Sequence, residues 1–455
     1  MVDGGPAREV ASFARMHRAL AVLPRPVLRA FGVLAAAATS AVTFVAALGR
    51  RGIPPGERAQ RALGRALAVF CSRAGATYIK VGQIASTRTD LLPGPLVEEL
   101  AALQDQVPPF PFAQVRTIIE NDLGQKLEAI FASFDPVPVA AASVAQVHRA
   151  VLRTGGIAVA VKIRRPGLLE KVEVDRRFLL AAGRWLEKLV PSLRLIALED
   201  ALGAFCDAVR AQIHLMLEAQ NNRRFQRNFA DDPQIRFPHL YPDACSDSVL
   251  TMDFVEGVHE NQLAQAGCDQ RAIVEAGLRC VCRMIFLHGF THADLHPGNL
   301  RFAPPSTVYL LDLGLVGTLS DADRVTVART LFAFATGDGP TVARLFHENS
   351  PHAAPPDYAA YEADICRFVT SLQHRGLANI QLTLEIGKIF DILRRHRIQA
   401  RSHMTMVNIA LMTVEGLARR LAPEVSLSDA ALPYLAEALR AADAAGGPSA
   451  RQSAC

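Results

Sequence analysis

Two aspartates and an asparagine in one stretch of the chain have the types and spacing that a magnesium-bound phosphate requires. Asp294 and Asn299 lie five positions apart within His292–Asn299, and Asp312 follows Asp294 by eighteen positions at the end of an apolar run. Oxygen ligands bind Mg²⁺, and phosphoryl transfer depends mainly on positioning and charge neutralisation. The spacing therefore predicts that Asn299 and Asp312 hold the metal and that Asp294 orients or deprotonates the acceptor.

The same segment carries two histidines that permit a different interpretation. His292, Asp294 and His296 form a His-x-Asp-x-His pattern, which can belong to a zinc site. A zinc site gives no role to the Asp-Leu-Gly sequence that begins at Asp312, so we favour a His292 that hydrogen-bonds backbone around the loop. Any single loop aspartate or asparagine can also cap a turn. The combination of three such residues is what favours phosphoryl chemistry.

A lysine in an apolar strand supplies the positive charge that such a site needs. Lys162 ends the sequence Val-Ala-Val-Lys that begins at Val159, and a buried ammonium is unfavourable unless it faces an anion. The pattern is typical of the lysine that contacts nucleotide α- and β-phosphates, although an edge-strand lysine that reaches solvent fits it too. Glu218, on a predicted helix, is the best candidate partner; an ordinary solvated glutamate is the alternative.

The elements that must position these residues predict an α+β, two-lobed fold of the protein-kinase type. Two β-rich runs flank Thr154–Gly156 and indicate a hairpin, and another strand is expected over Val249–Val255. A long helical stretch over residues 168–230 lies between them, and helices dominate residues 320–440. A β-rich part with one long helix, followed by a helical part that holds a polar loop, matches this plan.

Turn residues and changes in composition divide the chain into five predicted parts. Prolines 108, 109 and 111 mark one boundary between helical and β-rich sequence. The parts are a leader with an apolar helix (1–60), a helical extension (61–130), an N-lobe (131–256), a helical C-lobe (257–440) and a disordered tail (441–455).

Composition limits the classes of partner. The formal net charge is +5 over 455 residues, and lysines and arginines are scattered without an aromatic-interleaved stripe, so nucleic acid is a poor partner. The eight cysteines contain no Cys-x-x-Cys pair, which indicates a reducing compartment. Cys280 and Cys282 have no matching second pair and are typical of ordinary helix residues rather than of a metal site.

An uncharged segment near the N-terminus is long enough to cross a bilayer as a helix. It runs from Ala30 to Gly49 between two arginines and is rich in alanine, with three hydroxyl residues. The apolar run starts too late and is too long for a secretory signal. We expect contact with a membrane, either by spanning it or by lying on it; a buried or surface helix of a soluble protein is the alternative.

Four stretches together resemble the UbiB-like (AarF-type) family of atypical kinases. The likeness is close over residues 70–320 and weaker to about 440, and two of its motifs, Lys-x-Gly-Gln and His-x-Asp-x-His-Pro-Gly-Asn, are highly specific. The stretches are Tyr78–Pro109, Ala140–Arg149, Glu218–Pro233 and His292–Asn299. The resemblance implies a kinase-like fold, ATPase activity and a link to ubiquinone and related prenyl-lipid biosynthesis, with membrane or lipid association.

Two further features are implied by the resemblance. The helical extension that bears Lys80 and Gln83 folds over the site in this family and blocks protein substrates. A nucleotide-binding loop rich in alanine, here Ala140, Ala141, Ala142 and Ser143, replaces the glycine-rich phosphate loop. Alanine restricts φ where glycine does not, so the backbone should wrap the phosphates differently and shift nucleotide preference.

The sequence departs from the family at an acidic pair. The family has a Glu-x-Asp motif whose carboxylates partner the lysine of Lys-x-Gly-Gln, whereas the corresponding positions here are Gln212 and His214. Lys80 thus loses its expected ion pair, and one acidic metal contact is in doubt. Leu313 in place of the usual phenylalanine is a milder change. Because the other site residues remain, an inactive site does not follow.

The leading hypothesis is an atypical kinase or ATPase that binds ATP or ADP with Mg²⁺ and supports isoprenoid-quinone biosynthesis at a membrane. Its expected partners are a nucleotide, a prenyl-lipid or quinone precursor and a membrane surface, and its expected location is cytoplasmic and membrane-associated. Two alternatives remain, since fold does not fix substrate. They are a nucleotide-gated lipid-binding scaffold with little turnover, which the change at Gln212 and His214 favours, and a small-molecule kinase. The oligomeric state is left open.

Overall fold

A computed structural model describes most of the chain. The described residues are 25–49, 54–86, 92–103, 107–189, 198–350, 357–375, 382–398, 402–425 and 427–445. The start of the predicted leader, up to residue 24, and the predicted tail from residue 446 lie outside them. The last helix ends at Ala445, so residues 441–445, which we had assigned to a disordered tail, are helical.

The first part of the chain is helical, and a small set of β-strands follows it. The helices are α1 (Arg25–Leu48), α2 (Pro55–Ala74), α3 (Ala76–Ser86), α4 (Gly94–Ala101), α5 (Phe112–Leu123) and α6 (Leu127–Ile130). The strands are β1 (Phe131–Phe134), β2 (Ala140–Ala141), β3 (Ala145–Leu152) and β4 (Ala158–Arg164). The predicted hairpin is β3 and β4, which pair antiparallel.

Three helices replace the single long helix expected over residues 168–230. They are α7 (Leu168–Leu189), α8 (Leu198–Ile213) and α9 (Leu215–Asn228), and the strands β5 (Ile235–Arg236) and β6 (Val249–Asp253) follow them. The break between α8 and α9 falls at His214, whose backbone is extended. The prediction was wrong here because both flanking segments have helical periodicity, and the break depends on a contact that periodicity does not reveal.

The remaining chain contains short strands around the predicted catalytic loop, and its regular elements after Asp321 are helices in the part of the chain that the structure describes. The first group is α10 (Gln270–Cys282), continued by a π-helical turn over Arg283–Leu287, then β7 (Phe290–His292), β8 (Leu300–Ala303), β9 (Thr307–Leu310) and β10 (Val316–Thr318). The helices are α11 (Asp321–Thr336), α12 (Gly339–Glu348), α13 (Tyr358–Arg375), α14 (Leu382–Arg395), α15 (Ser402–Leu421) and α16 (Leu427–Ala445).

The chain forms two compact units whose limits differ from the predicted domains. A helical unit contains residues 1–86, 93–106 and 169–209, and an α+β unit contains residues 87–92, 107–168 and 210–455. Helix α5, which we had assigned to the extension, packs on β4 and β6 in the α+β unit. Most of α7 and α8, assigned to the N-lobe, belongs to the helical unit. Sequence boundaries follow turn residues, whereas compact units follow packing.

Small residues hold the helical unit together. Helix α1 packs along α2, where Ala36 is buried and the Ser40 hydroxyl donates to the Ala66 carbonyl at 2.6 Å. Arg29 of α1 donates two hydrogen bonds, at 2.6 and 2.7 Å, to the buried carboxylate of Asp175 on α7. Paired hydrogen bonds between guanidinium and carboxylate fix geometry as well as charge.

The α+β unit contains three sheets and two main apolar clusters. The largest sheet has the order β1-β3-β4-β6, with β2 paired to the edge of β3; β7 pairs with β10, and the third sheet has the order β5-β9-β8. In β4, Val159, Val161 and Ile163 are fully buried on one face against α5. That packing places the alternate residue, Lys162, on the opposite face.

Candidate functional site

The side chain of Lys162 makes ion pairs with two carboxylates in the α+β unit. It projects from β4 between Val147 of β3 and Leu250 of β6 in register. Its Nζ lies 2.8 Å from Oε2 of Glu218 and 3.0 Å from Oδ1 of Asp312. The side chains of Lys162 and Glu218 are almost wholly buried, and a buried ammonium is tolerated only with such partners.

Helix α9 positions Glu218 and also fixes the chain after Asp312. Glu218 lies in the first turn of α9, on its buried side. The Asn221 side-chain amide, three residues further on, donates to the Leu313 carbonyl at 2.9 Å. Helix α9 thus holds the backbone of the residue that follows Asp312.

Asp312 adopts a backbone conformation that is unusual for an aspartate. Its φ is +49°, in the left-handed region that non-glycine residues visit at a cost of about 1–2 kcal/mol. Asp312 remains half exposed, and a Cβ added to Gly314 would lie 3.3 Å from its Oδ1 and 3.4 Å from Oε2 of Glu218. The strained aspartate and the close glycine indicate a segment shaped for function rather than for stability.

The pKa values of Lys162 and Glu218 depend on their burial and on the nearby carboxylate of Asp312. Burial alone would lower the pKa of the Lys162 ammonium, but the charges of Asp312 and Glu218 outweigh it and raise that pKa above its usual range. Burial raises the pKa of Glu218 to about 7, with the negative charge of Asp312 acting in the same direction and Lys162 opposing both. Above pH 7 the group is therefore one ammonium held by two carboxylates.

The catalytic-loop segment is held in place by His292. The Asp294 N–H donates to Nδ1 of His292 at 3.1 Å, so the ring proton is on Nε2, which donates to the Leu311 carbonyl at 3.3 Å. The imidazole is buried, and burial lowers its pKa, so it is neutral at pH 7. Both ring nitrogens of His292 are therefore hydrogen-bonded to the backbone, one to Asp294 and the other to Leu311.

Asn299 and Asp294 are brought together by the turn over Pro297–Asn299. The Asn299 side-chain nitrogen donates to the Asp294 carbonyl at 3.1 Å, and the Leu311 N–H donates to the Asn299 carbonyl at 2.8 Å. The second bond joins the loop directly to the residue before Asp312. Fixing the amide nitrogen leaves the amide oxygen as the group that can bind a cation.

This donor set suits a hard divalent cation. The amide oxygen of Asn299 and the half-exposed carboxylate of Asp312 are the oxygen ligands that Mg²⁺ prefers, and nucleotide phosphates ordinarily complete its coordination. Among the described residues, no three His, Cys, Asp or Glu side chains cluster closely enough to form a metal site of their own. The zinc alternative is further weakened because the backbone occupies both nitrogens of His292.

The alanine-rich loop is held by an arginine that the sequence analysis missed. Arg165, just after β4, donates from Nε to the Ala142 carbonyl at 2.8 Å and from Nη2 to the carbonyls of Val107 and Pro108. Ala140 and Ala141 form β2, which pairs with β3. A second arginine following the Val-Ala-Val-Lys sequence was the signal available, but its acceptors are backbone atoms with no sequence signature.

Ser143, the last member of the predicted nucleotide loop, is fully buried. Ala140 is exposed, and Ala141 and Ala142 are partly so. The exposed surface of this loop is therefore made by Ala140–Ala142, and Ser143 belongs to the interior beneath it.

Gln212 and His214, where the resemblance implies an acidic pair, have different surroundings. Gln212, near the end of α8, is buried, its Cα lies 3.9 Å from a Cβ added to Gly314, and its amide nitrogen has no partner within the described part of the chain. His214 lies beside Asp247, with its Nδ1 3.0 Å from Oδ2. Asp247 also accepts from Arg164 at 2.6 Å. The sequence analysis identified both positions but not Asp247.

Lys80 and Gln83 lie on α3 in the helical unit. Lys80 is half buried, and the Gln83 side-chain nitrogen donates to the Leu103 carbonyl at 3.4 Å. Gly82 between them permits a close approach, because an added Cβ would lie 2.5 Å from Cδ1 of Leu103 and 3.0 Å from Sγ of Cys71. Part of the Lys-x-Gly-Gln motif therefore serves packing of α3 within its own unit.

A family model described as the ABC1 atypical kinase-like domain matches residues 102–346, and one described as the UbiB helical domain matches residues 365–426. The first match alone covers more than half of the chain. This chain belongs to the UbiB family of atypical kinases. It therefore has a kinase-like α+β fold with a helical N-terminal region.

Curated relatives agree with this membership. A protein of Erwinia tasmaniensis named probable protein kinase UbiB is 32% identical over 380 residues, which cover 82% of this chain and 70% of the relative. One of the same name from Pseudomonas fluorescens is 34% identical over 393 residues, covering 85% and 73%. The UbiB-family chain is thus similar to both along most of its length.

A solved structure supports the fold independently. A Mycobacterium tuberculosis protein, solved as a complex with erythromycin, superposes with a TM-score of 0.51. The match covers 91% of this chain and 98% of the other, at 20% sequence identity. At that identity the likeness concerns the fold alone.

Proposed function

We propose that this UbiB-family protein binds ATP with Mg²⁺ and uses it as an atypical kinase or ATPase. The observation that carries the proposal is the ion-pair network in which Lys162 bridges Glu218 and Asp312. A lysine held by a buried glutamate and reaching a half-exposed aspartate has the charge and placement to receive nucleotide phosphates. A network that served stability alone would not require the left-handed backbone of Asp312.

Each residue has a role that follows from its surroundings. Lys162, fixed by Glu218, would contact the α- and β-phosphates, and the backbone of Ala140–Ala142 would cover them. Asn299 and Asp312 would hold Mg²⁺, which neutralises phosphate charge when bound. Asp294, oriented by its backbone bond to neutral His292, would accept a hydrogen bond from the attacking hydroxyl or water.

We propose isoprenoid-quinone biosynthesis as the process that this activity supports. The proposal rests on the family resemblance and on relatives that carry the name UbiB. A prenyl lipid or quinone precursor is the expected partner. Measuring the quinone content of cells that lack the protein tests this part, and complementation by an Asp294→Asn variant tests whether it requires the catalytic aspartate.

We further propose that the protein is associated with a membrane from the cytoplasmic side. Within the described residues, Arg29–Leu48 of α1 is long and apolar enough to cross a bilayer. It exposes large apolar side chains, among them Leu34, Val42 and Val45. Because Arg29 and Ser40 tie α1 to its own unit, we favour a helix that lies on the membrane rather than one that spans it.

The activity is tested with the purified full-length chain. We expect ATP with Mg²⁺ to raise its melting temperature and phosphate release to be abolished in Asp294→Asn and Asp312→Asn. Asp364→Asn, in the distant helix α13, is the control for a generic loss of carboxylate. Phosphate release that persists unchanged in both site variants would refute catalysis at this site.

A nucleotide-gated scaffold is the second candidate, and one observation favours it. Gln212 and His214 stand where the family has two carboxylates, and the Gln212 amide nitrogen is buried without a partner in the described chain. A nucleotide-dependent thermal shift without phosphate release, in the presence and absence of liposomes, would support the scaffold. A phosphorylated small molecule among the products would instead identify a small-molecule kinase.

A further inference from the structure

Helix α7 carries an exposed apolar band in the helical unit. Phe178, Trp185 and Leu189 are 36%, 67% and 68% exposed. They are separated by seven and four positions, which places them on one side of the helix. Trp185 is the only tryptophan of the chain. A large, contiguous apolar band in contact with water marks an interaction surface more often than an accident of composition.

Another side of α7 is its packing side. Val172 and Asp175 are buried there. Gly183 faces α8, where an added Cβ would lie 3.0 Å from Cδ1 of Leu202 and 3.3 Å from the Cα of Glu199. The helix therefore already has a core face that is in use. The band of Phe178, Trp185 and Leu189 is a second apolar face, and these side chains stay exposed among the described residues of the helical unit.

Basic side chains line one edge of the apolar band. The side chains of Arg177 and Arg184 are 77% and 60% exposed, and Lys188 is also exposed. Arg177 pairs with Glu173 and Arg184 with Glu199, each at 3.4 Å. Such exposed pairs contribute little and exchange readily for other anions. The edge thus offers positive charge to a partner.

We propose that this face of α7 docks onto an anionic lipid surface, with the helix in the plane of the interface. An apolar band with tryptophan and leucine beside a row of Lys and Arg is the pattern of interfacial helices. Tryptophan favours the headgroup level, and cations are attracted to anionic headgroups. A second copy of the chain would bring the same positive charges, so an anionic membrane is the more complementary partner.

The proposed docking through α7 rests on the membrane association proposed above and names the surface that makes the contact. The two proposals can be tested separately. Association through α1 alone would leave Trp185 in water. The inference does not depend on nucleotide binding, because the residues of the band belong to the helical unit and those of the nucleotide site to the α+β unit.

Trp185 makes the test direct, because all tryptophan fluorescence of the full-length protein comes from this band. The protein is titrated with vesicles of phosphatidylcholine alone and with vesicles that also contain phosphatidylglycerol. We expect the anionic vesicles to move the emission to shorter wavelength and to protect it from acrylamide. Added salt should weaken the effect, since it screens the basic edge.

Variants that keep the reporter identify the contributing groups. We expect Leu189→Ser to lower the vesicle partition coefficient about tenfold, the scale of losing one buried leucine side chain. Arg177→Gln with Lys188→Gln should remove the preference for anionic vesicles. Leu432→Ser, an exposed leucine of α16, is the matched control and should bind as the parent does. Unchanged circular dichroism and nucleotide-dependent melting would show that all variants fold.

Three results would overturn the inference. If the protein sediments with vesicles while Trp185 emission is unchanged, membrane association stands but occurs through another surface. If Trp185 emission shifts with protein concentration in the absence of vesicles, a second copy covers the band instead. If the protein fails to bind vesicles at all, both this inference and the proposed membrane association fail.

Discussion

Nδ1 of His214 lies 3.0 Å from Oδ2 of Asp247, at the break between α8 and α9. The resemblance to the UbiB-like family implies an aspartate at the position of His214, and the acidic side chain beside His214 in this protein is that of Asp247. Arg164 binds the same carboxylate at 2.6 Å and also donates to the Ile213 carbonyl. Asp247 thus joins the start of α9 to the arginine that follows Lys162 in the chain.

Restoring the family's aspartate should therefore destabilise this protein. His214→Asp places a second carboxylate beside Asp247, whose negative charge Arg164 already neutralises. We expect the free energy of unfolding to fall by about 1–2 kcal/mol at pH 7, the scale of a lost charged hydrogen bond. Urea denaturation of the parent and the variant measures the difference.

The matched control is the neighbouring departure from the family. His214→Asp combined with Asp247→Asn removes the repulsion between the two carboxylates and should recover stability. His214→Asp combined with Gln212→Glu leaves that repulsion in place and should not recover it. Equal stability of His214→Asp and the parent would show that the contact with Asp247 contributes nothing.

Removing Lys162 should be more harmful than removing the whole ion pair. Lys162→Met leaves Glu218 buried without its cation, and breaking a buried pair costs about 3–5 kcal/mol. Lys162→Met with Glu218→Leu replaces both by apolar groups and should recover much of the loss. Chemical denaturation at pH 8 measures stability, and melting with ATP and Mg²⁺ measures binding.

The same two variants distinguish an effect on stability from an effect on nucleotide binding. We expect neither to show a nucleotide-dependent rise in melting temperature, although the double variant is the more stable. A double variant that is less stable than Lys162→Met would contradict the burial argument. Retained nucleotide binding in the double variant would contradict the role of Lys162.

The pKa of Glu218 predicts how nucleotide binding depends on pH. Burial raises this pKa to about 7, so the carboxylate gains a proton as the pH falls below that value. A neutral Glu218 holds Lys162 less firmly. We expect nucleotide affinity to decline from pH 8 to pH 6, and calorimetric titration measures it. In Glu218→Gln the affinity should be low and flat over this range.

The contribution of Glu218 to stability changes with pH in the opposite direction to its effect on nucleotide affinity. An acid whose folded pKa of about 7 exceeds its ordinary value of 4.5 binds more protons in the folded state than in the unfolded state between those values. Its contribution to the free energy of unfolding therefore falls as pH rises from 4.5 to 7. In Glu218→Gln the slope of the free energy of unfolding against pH should therefore be more positive on this interval than in the parent, and an unchanged slope would contradict the raised pKa.

Gly82 of the Lys-x-Gly-Gln motif should be required for packing of the helical unit. Gly82→Ala brings a methyl group within 2.5 Å of Leu103 and 3.0 Å of Cys71, and overpacking costs about 1–3 kcal/mol. Thermal melting measures the loss. Gly82→Ala with Leu103→Ala should be less destabilised than the sum of the two single variants, and strict additivity would argue against the contact.

Much of the site could be predicted because its chemistry is local in the sequence. Asp294 and Asn299 share one short loop, and Asp312 follows an apolar strand, so spacing alone indicated their cooperation. Lys162 was identifiable because an ammonium in an apolar strand needs an anion. Family motifs added the alanine-rich loop and drew attention to Gln212 and His214.

Contacts between distant segments could not be predicted in this way. The acceptors of Arg165 are backbone carbonyls, which every residue possesses, so nothing in the sequence marks them. The contact of Lys162 with Asp312 joins residues 150 positions apart. Assignment of α5 to the α+β unit and of most of α7 to the helical unit likewise depends on which apolar faces meet.

The sequence by itself determined the fold class, the identity of the nucleotide-site candidates and the apolar character of residues 30–49. Residue type and short spacing are sufficient for these, because they fix periodicity and chemistry within one element. Only the tertiary structure decided that His214 breaks a helix beside Asp247, that Asp312 is left-handed, and that Trp185 faces water. Those outcomes depend on long-range packing, in which each group finds its partner only after the elements have come together.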